Sequence, residues 1–203
     1  MKVSVMITTY NLEKYVAQTL DSVLSQKTDF SYEILVGDDG STDGTVSIVE
    51  KYIERYPEKI SLYRMPREDG ADYNRVERSS ANRLNLCKYA KGEFLTFLDG
   101  DDFYTDTTKL KRQVSVLENP KNQDCVMCVH NLSLYYEGKD DRREKQGPVL
   151  CRAKKEHKWT LEDYWPLIFI QANAVMFRNI LQKHFPTGIL AKNFDDNNIT
   201  FWL

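Results

Sequence analysis

Three aspartates stand in "VGDDGSTDGT" (36–45), and three more in "FLDGDDF" (97–103). Carboxylates at that density suit either a cation or a ligand that offers hydrogen-bond donors. The first stretch fits a calcium loop in one respect. Asp39, Ser41, Asp43, Gly44 and Glu50 fall at positions 1, 3, 5, 6 and 12 of an EF-hand. The second stretch carries Asp99 and Asp101 in D-x-D spacing, which suits a Mg²⁺ or Mn²⁺ ion that takes further oxygens from a diphosphate.

What precedes each cluster separates these possibilities. "VSVMI" (3–7), "EILVG" (33–37), "ISLYR" (60–64) and "EFLTFL" (93–98) are apolar runs without polar alternation, as expected for parallel strands buried on both faces. Between them Leu12, Val16, Leu20, Val23 and Leu24 share one helical face, with Asn11 as the expected cap. Val46, Val49 and Ile53 mark a second helix ending before Pro57, Ala81 to Ala90 a third, and Leu110, Val114 and Leu117 a fourth. "CVMCVHNLSLYY" and "ANAVMFR" read as further strands, "EGKDDRREKQG" as a charged exposed loop, and "NILQKHF" as a short helix. Strand alternating with helix predicts an α/β fold with a mostly parallel central sheet flanked by helices.

An EF-hand needs a helix on both sides of its loop. Asp38 and Asp39 instead follow a strand, so calcium is the weaker reading. The carboxyl ends of parallel strands share one edge, and ligands bind there. Asp39, Asp99, Asp101 and Asp102 should therefore converge, and four carboxylates repel one another unless a divalent cation or hydrogen-bond donors join them.

Composition narrows the rest. At 203 residues the chain supports one well-buried domain or at most two small ones. With 41% hydrophobic and 29% charged residues it reads as an ordinary globular protein, and a net charge of −2 gives no reason to expect nucleic acid as a partner. The start "MKVSVMITTY" turns polar too quickly for a signal peptide, and no apolar stretch reaches transmembrane length. The sequence thus reads as cytosolic, with contact at the inner face of the membrane compatible. Cys87, Cys125, Cys128 and Cys151 are then expected as reduced structural thiols, since "CVMC" has no second CxxC to complete a metal site.

With those pieces in order, the chain resembles the inverting family 2 glycosyltransferases of bacterial type, which have the GT-A nucleotide-diphospho-sugar transferase fold. The resemblance rests on "VSVMITTYNLEKYVAQTLDSVLSQ", "EILVGDDGSTDGT", "KGEFLTFLDGDDF" and "NFDDNNITFWL", which run in the family's order across nearly all of the chain. It implies a single GT-A domain over 1–203, with residues 1–117 forming the nucleotide-sugar-binding half and 118–203 the acceptor side. Such relatives usually continue with further helices, so an acceptor side incomplete within these residues is also implied.

The resemblance assigns roles residue by residue. Thr8 and Tyr10 would line the nucleotide pocket, the Tyr10 ring against the base, and Asp39 would accept a base N–H such as uracil's. Asn82 would lie at the nucleotide, Asp99 near the ribose and metal, and Asp101 on the Mn²⁺ or Mg²⁺ ion. Asp102 would be sugar-facing or support its neighbours. Asp196 would be the catalytic base, with Asp195 the alternative. One departure stands out: Ala81 occupies the place where relatives often carry a diphosphate-contacting Arg, leaving Arg75, Arg78 or Arg83 as substitutes.

The implied reaction moves a hexosyl or N-acetylhexosaminyl group from a nucleotide-diphosphate donor, a UDP-sugar first, to a saccharide or lipid-linked saccharide acceptor in cell-surface polysaccharide synthesis. Two alternatives differ in class. A sugar nucleotidyltransferase would carry a Gly-rich, basic loop after the first strand, and "TTYNLEKY" has no glycine. A nucleotide- or metal-binding module without turnover would bind donor and release no nucleotide diphosphate.

Overall fold

The computed structural model describes residues 1–68, 72–130, 132, 158, 171–181, 185–187 and 194. The charged loop 137–147, residues 182–184 of "NILQKHF", Cys151, Asp195 and Asp196 lie outside them. Among the described residues six strands form one sheet in the order β3-β2-β1-β4-β6-β5. They are β1 (Val3–Thr9), β2 (Tyr32–Asp38), β3 (Ile60–Arg64), β4 (Phe94–Asp99), β5 (Met127–Val129) and β6 (Val175–Arg178). The first four pair in parallel, whereas β6 runs antiparallel to both β4 and β5. Four helices connect them: α1 (Val16–Leu24), α2 (Thr45–Arg55), α3 (Arg75–Tyr89) and α4 (Lys109–Glu118).

Both faces of the central strands are covered, which explains their unbroken apolar runs. Val5, Ile7, Ile34, Val36 and Leu98 pack with Val16, Leu20, Val49, Leu110 and Val114 on the side of α1, α2 and α4. Met6, Leu35, Leu95 and Phe97 pack on the other side with Leu84, Leu86 and Cys87 of α3. Strand order reverses between β1 and β4, the position where an open α/β sheet leaves a crevice at its carboxyl edge. Cys87, Cys125 and Cys128 are thiols without disulfides, as expected.

Three details differ from the sequence expectation. Asn11 does not cap α1: the N-cap is Tyr15, without a side-chain hydrogen bond, while Asn11 has φ 53° and accepts from the Thr42 amide at 2.8 Å. Left-handed backbone suits Asn, and here it turns the chain so that the loops after β1 and β2 fasten to each other. Helix α3 starts at Arg75 rather than Ala81, capped by the Asn74 side chain, which accepts from the amides of Val76 and Glu77. Its first turns, "RVERSS", carry no apolar period and so give no periodic signal. The strand expected from "CVMCVHNLSLYY" is described only over Met127–Val129.

Lys109 is an unexpected core residue. Its Nζ donates to Thr96 Oγ1 at 3.2 Å and lies 4.0 Å from the Tyr104 ring centre. Burial pulls its ammonium down from 10.5 to about 7. Between those values the unfolded chain binds a proton that the folded chain does not, so stability contributed here rises with pH from about 7 to 10.5. Below that window both states are charged and the full desolvation cost is present. Lys109→Met is therefore expected to stabilise the fold by a few kcal/mol at pH 6, of the order that linkage gives for such a displacement. The gain should shrink as pH approaches 10, measured by urea unfolding at both values. A gain independent of pH, or a destabilised variant at pH 6, would contradict a buried ammonium that folding disfavours.

Candidate active site at the carboxyl edge of the sheet

Thr8 and Asp99 are register partners at the ends of β1 and β4, and Thr8 Oγ1 donates to Asp99 Oδ1 at 3.0 Å. Arg83, buried on α3, reaches the same oxygen at 3.2 Å. The Asp99 carboxylate is thus held from two sides while 38% of its side chain stays exposed at the crevice. The turn that follows is fixed by backbone contacts. Gly100 N donates to Thr8 O at 2.9 Å, and Thr19 Oγ1 lies 2.8 Å from both the Gly100 and the Asp102 carbonyls. A Cβ on Gly100 would sit 2.8 Å from Thr9 Cγ2 and 2.9 Å from Thr8 O, so only glycine lets this turn close against β1.

Asp101 presents its exposed side chain from this turn. The protein packed around it, and then the Asp99 charge, raise its pKa above the ordinary value. Two carboxylates in that relation favour a cation between them. Among the described residues no three of His, Cys, Asp and Glu converge into a metal cage. Asp99 and Asp101 fit instead an ion held by one or two carboxylates and completed by substrate oxygens. Asp102 turns toward the neighbouring strand, where the Asn173 amide donates to its Oδ2. Asn173 lies in the short 3₁₀ turn Ala172–Ala174 that opens β6, and sequence reasoning gave it no role.

The loop after β2 depends on a second residue that the sequence reading passed over. Asp38 is buried; its Oδ2 accepts from the amides of Gly40 and Ser41 at 3.1 and 2.9 Å, and its Oδ1 from Ser41 Oγ at 2.5 Å. Gly40 takes φ 75°, which completes the turn. "VGDDGSTDGT" therefore divides its carboxylates: Asp38 and Asp43 hold backbone amides and hydroxyls, and Asp39 is left to pair with side chains from beyond the loop. Strand β2 precedes this loop and α2 follows it, which is not the helix-flanked setting of an EF-hand.

Asp39 meets two guanidiniums. Arg67 Nη2 lies 2.5 Å from Asp39 Oδ2, Arg67 Nε donates to the Asp39 carbonyl at 2.8 Å, and Arg78 pairs with Oδ1. Arg67 also stands 3.9 Å from the centre of the Tyr10 ring. Asn82, expected at the nucleotide, contacts the backbone of β2. It is buried, and its Nδ2 donates to Gly37 O at 2.8 Å, tying α3 to β2; a Cβ on Gly37 would collide with it at 2.1 Å. Its neighbour Arg83 reaches Asp99 from α3, so of the three candidate substitutes for the Arg missing at Ala81, Arg83 is the one beside Asp99.

A glycosyl transferase family 2 model matches residues 4–185, a span that holds both acidic loops and runs from β1 to β6. The chain belongs to that family. It is 31% identical over 199 residues to the uncharacterized glycosyltransferase alr2836 of Nostoc, covering 92% of this chain and 54% of the relative. The crystal structure of Staphylococcus aureus TarS 1-349 superposes with a TM-score of 0.67 at 26% identity, covering 95% of this chain and 53% of TarS. The same TarS fragment in complex with UDP-GlcNAc gives a TM-score of 0.64 at 27% identity, covering 90% of this chain and 47% of that one. The chain thus spans about half the length of these family members. Its mixed sheet and flanking helices are the GT-A fold expected from the sequence. No described helix is long and apolar enough to cross a membrane.

Proposed function

We propose that the protein transfers a sugar from a nucleotide-diphosphate donor, a UDP-sugar first, to an acceptor hydroxyl with inversion. The observation that carries this reading is the Thr8–Asp99–Arg83 cluster beside exposed Asp101, at the carboxyl edge where strand order reverses between β1 and β4. Arg83 and Thr8 orient Asp99, and Asp99 with Asp101 would hold a Mn²⁺ or Mg²⁺ ion. When bound, that ion supplies positive charge to the leaving diphosphate. Tyr10 and Asp39 line the base side of the crevice, and the UDP-GlcNAc complex of TarS supports uracil as the base. Asp102, held by Asn173, would face the donor sugar or support its neighbours.

Transfer needs the acceptor oxygen to bond to the anomeric carbon as the carbon–oxygen bond to the diphosphate breaks. The hydroxyl proton goes to a carboxylate on the opposite face of the sugar. Asp196 is proposed for that base, with Asp195 the alternative. Phe194, the residue before them, is buried with its ring 6.2 Å from Phe97, which stands two residues before Asp99 on β4. The acceptor is proposed to be a saccharide or lipid-linked saccharide at the cytoplasmic face of a membrane.

The test is release of free nucleotide diphosphate from a panel of UDP-, GDP- and dTDP-sugars with Mn²⁺ and simple glycoside acceptors. UDP release above the uncatalysed rate is the expected result. Tight donor binding with no release from any donor would leave a binding module in place of a transferase. In the same panel Asp39→Ala should weaken UDP affinity about ten- to a hundredfold, the usual effect of losing a hydrogen bond to a charged group. Unchanged affinity would remove Asp39 from the base site.

A further inference from the structure

The two residues proposed to receive the base, Tyr10 and Asp39, are already engaged by one side chain, Arg67. Both Asp39 oxygens carry a guanidinium, and only 8% of the Asp39 side chain is exposed. A base N–H therefore has no route to that carboxylate while both arginines stay. The two arginines are not equivalent. Arg78 is rooted in α3, and its Nη2 donates to Met65 O at 3.1 Å as well as pairing with Asp39. Arg67 belongs to the connection after β3, is the more exposed of the two at 25%, and lies over the Tyr10 ring. Its guanidinium is flat and stacks on an aromatic face as a base would. It thus makes both contacts expected of a bound uracil, a ring stack on Tyr10 and a donated hydrogen bond to Asp39.

From this coincidence we propose that Arg67 is an intramolecular occupant of the base site, displaced when the donor binds. The proposal rests on the base site assigned above. Arg78 remains with Asp39 during the exchange, so the carboxylate is never left without a partner. Tyr73 supplies Arg67 with a second ring, 5.3 Å away, and the Tyr73 hydroxyl accepts from the Glu68 amide at 2.7 Å. The segment that carries Arg67 is thereby braced in the occluding position. Ligand binding to a protein whose open form is a minor state is weakened by the fraction that is open. An open form at about a tenth of the population gives an apparent affinity about tenfold weaker than the open site would show.

Calorimetry on the whole chain with Mn²⁺ tests this, comparing wild type, Arg67→Ala and Arg67→Gln. UMP and UDP should each bind about tenfold tighter to both variants, by the same factor, because the competitor for their shared base is gone. Inorganic pyrophosphate, which has no base, should bind no more tightly. Weaker UMP and UDP binding would make Arg67 a contact of the bound nucleotide, and unchanged binding would remove any competition; either overturns the proposal. If the variants unfold, the Arg67 Nε–H resonance of the wild type decides. It should shift with UMP and not with pyrophosphate, and a resonance unmoved by saturating UMP counts against displacement. Failure of the base site itself is read separately, from Asp39→Ala binding UDP like wild type.

Discussion

Asp101→Ala is expected to abolish Mn²⁺-stimulated turnover, lowering the rate by a factor of about a thousand. Removing one preorganised electrostatic contact to developing charge typically slows an enzyme by about a hundred- to a thousandfold, and losing a metal ligand belongs at the upper end. The fold should survive the change. Asp101 projects from a turn whose shape is set by Thr19, Gly100 and the Thr8 carbonyl, and none of those contacts uses the Asp101 side chain. Asp99 is a poorer choice for the same experiment, because its carboxylate also holds Arg83 and Thr8. The measurement is turnover against Mn²⁺ concentration, with the melting temperature as control. Full Mn²⁺ stimulation in the variant would remove Asp101 from the cation site.

The second large effect is expected at Asp196. Asp196→Asn keeps the size and hydrogen bonding of the side chain but cannot take the acceptor's proton, so turnover should fall by about 10²–10⁴-fold. Donor affinity should stay within a few-fold, since the base acts on the acceptor side. Asp195→Asn provides the comparison and should retain most of the activity. A dead Asp195→Asn beside an active Asp196→Asn would exchange the two roles. Loss of UDP binding in Asp196→Asn would move the residue to the donor pocket.

The sequence carried the sheet and the place of the acidic loops because both depend on local pattern. Buried parallel strands leave unbroken β-branched runs, and a strand followed at once by "GDDGS" or "DGDD" has only one edge of the sheet on which to put those carboxylates. What it could not carry was the division of labour among like residues. Asp38 and Asp39 are adjacent and chemically identical, yet one is tied to Gly40 and Ser41 and the other faces Arg67 and Arg78. Asn82 and Arg83 are a similar case. A rotation of one residue along α3 turns the amide into the sheet and the guanidinium toward Asp99. Arg67 follows β3 in a stretch without periodicity, and Asn173 precedes β6 in a short 3₁₀ turn. Neither position has a sequence signal beyond its distance from a strand end. The start of α3 was hidden for a related reason, since "RVERSS" has no apolar stripe and its cap is a single Asn74.

Transfer by this site requires one coupling: the nucleotide diphosphate and a divalent cation must bind together at the Asp99–Asp101 edge. Isothermal calorimetry of UDP binding with Mn²⁺ and with EDTA, on wild type and Asp101→Ala, measures that coupling directly. Wild type should bind UDP at least tenfold more tightly with Mn²⁺ than with EDTA, and Asp101→Ala should show the weaker affinity under both conditions. Equal UDP affinity with Mn²⁺ and EDTA in wild type, or an Mn²⁺ gain that Asp101→Ala retains, would contradict the account.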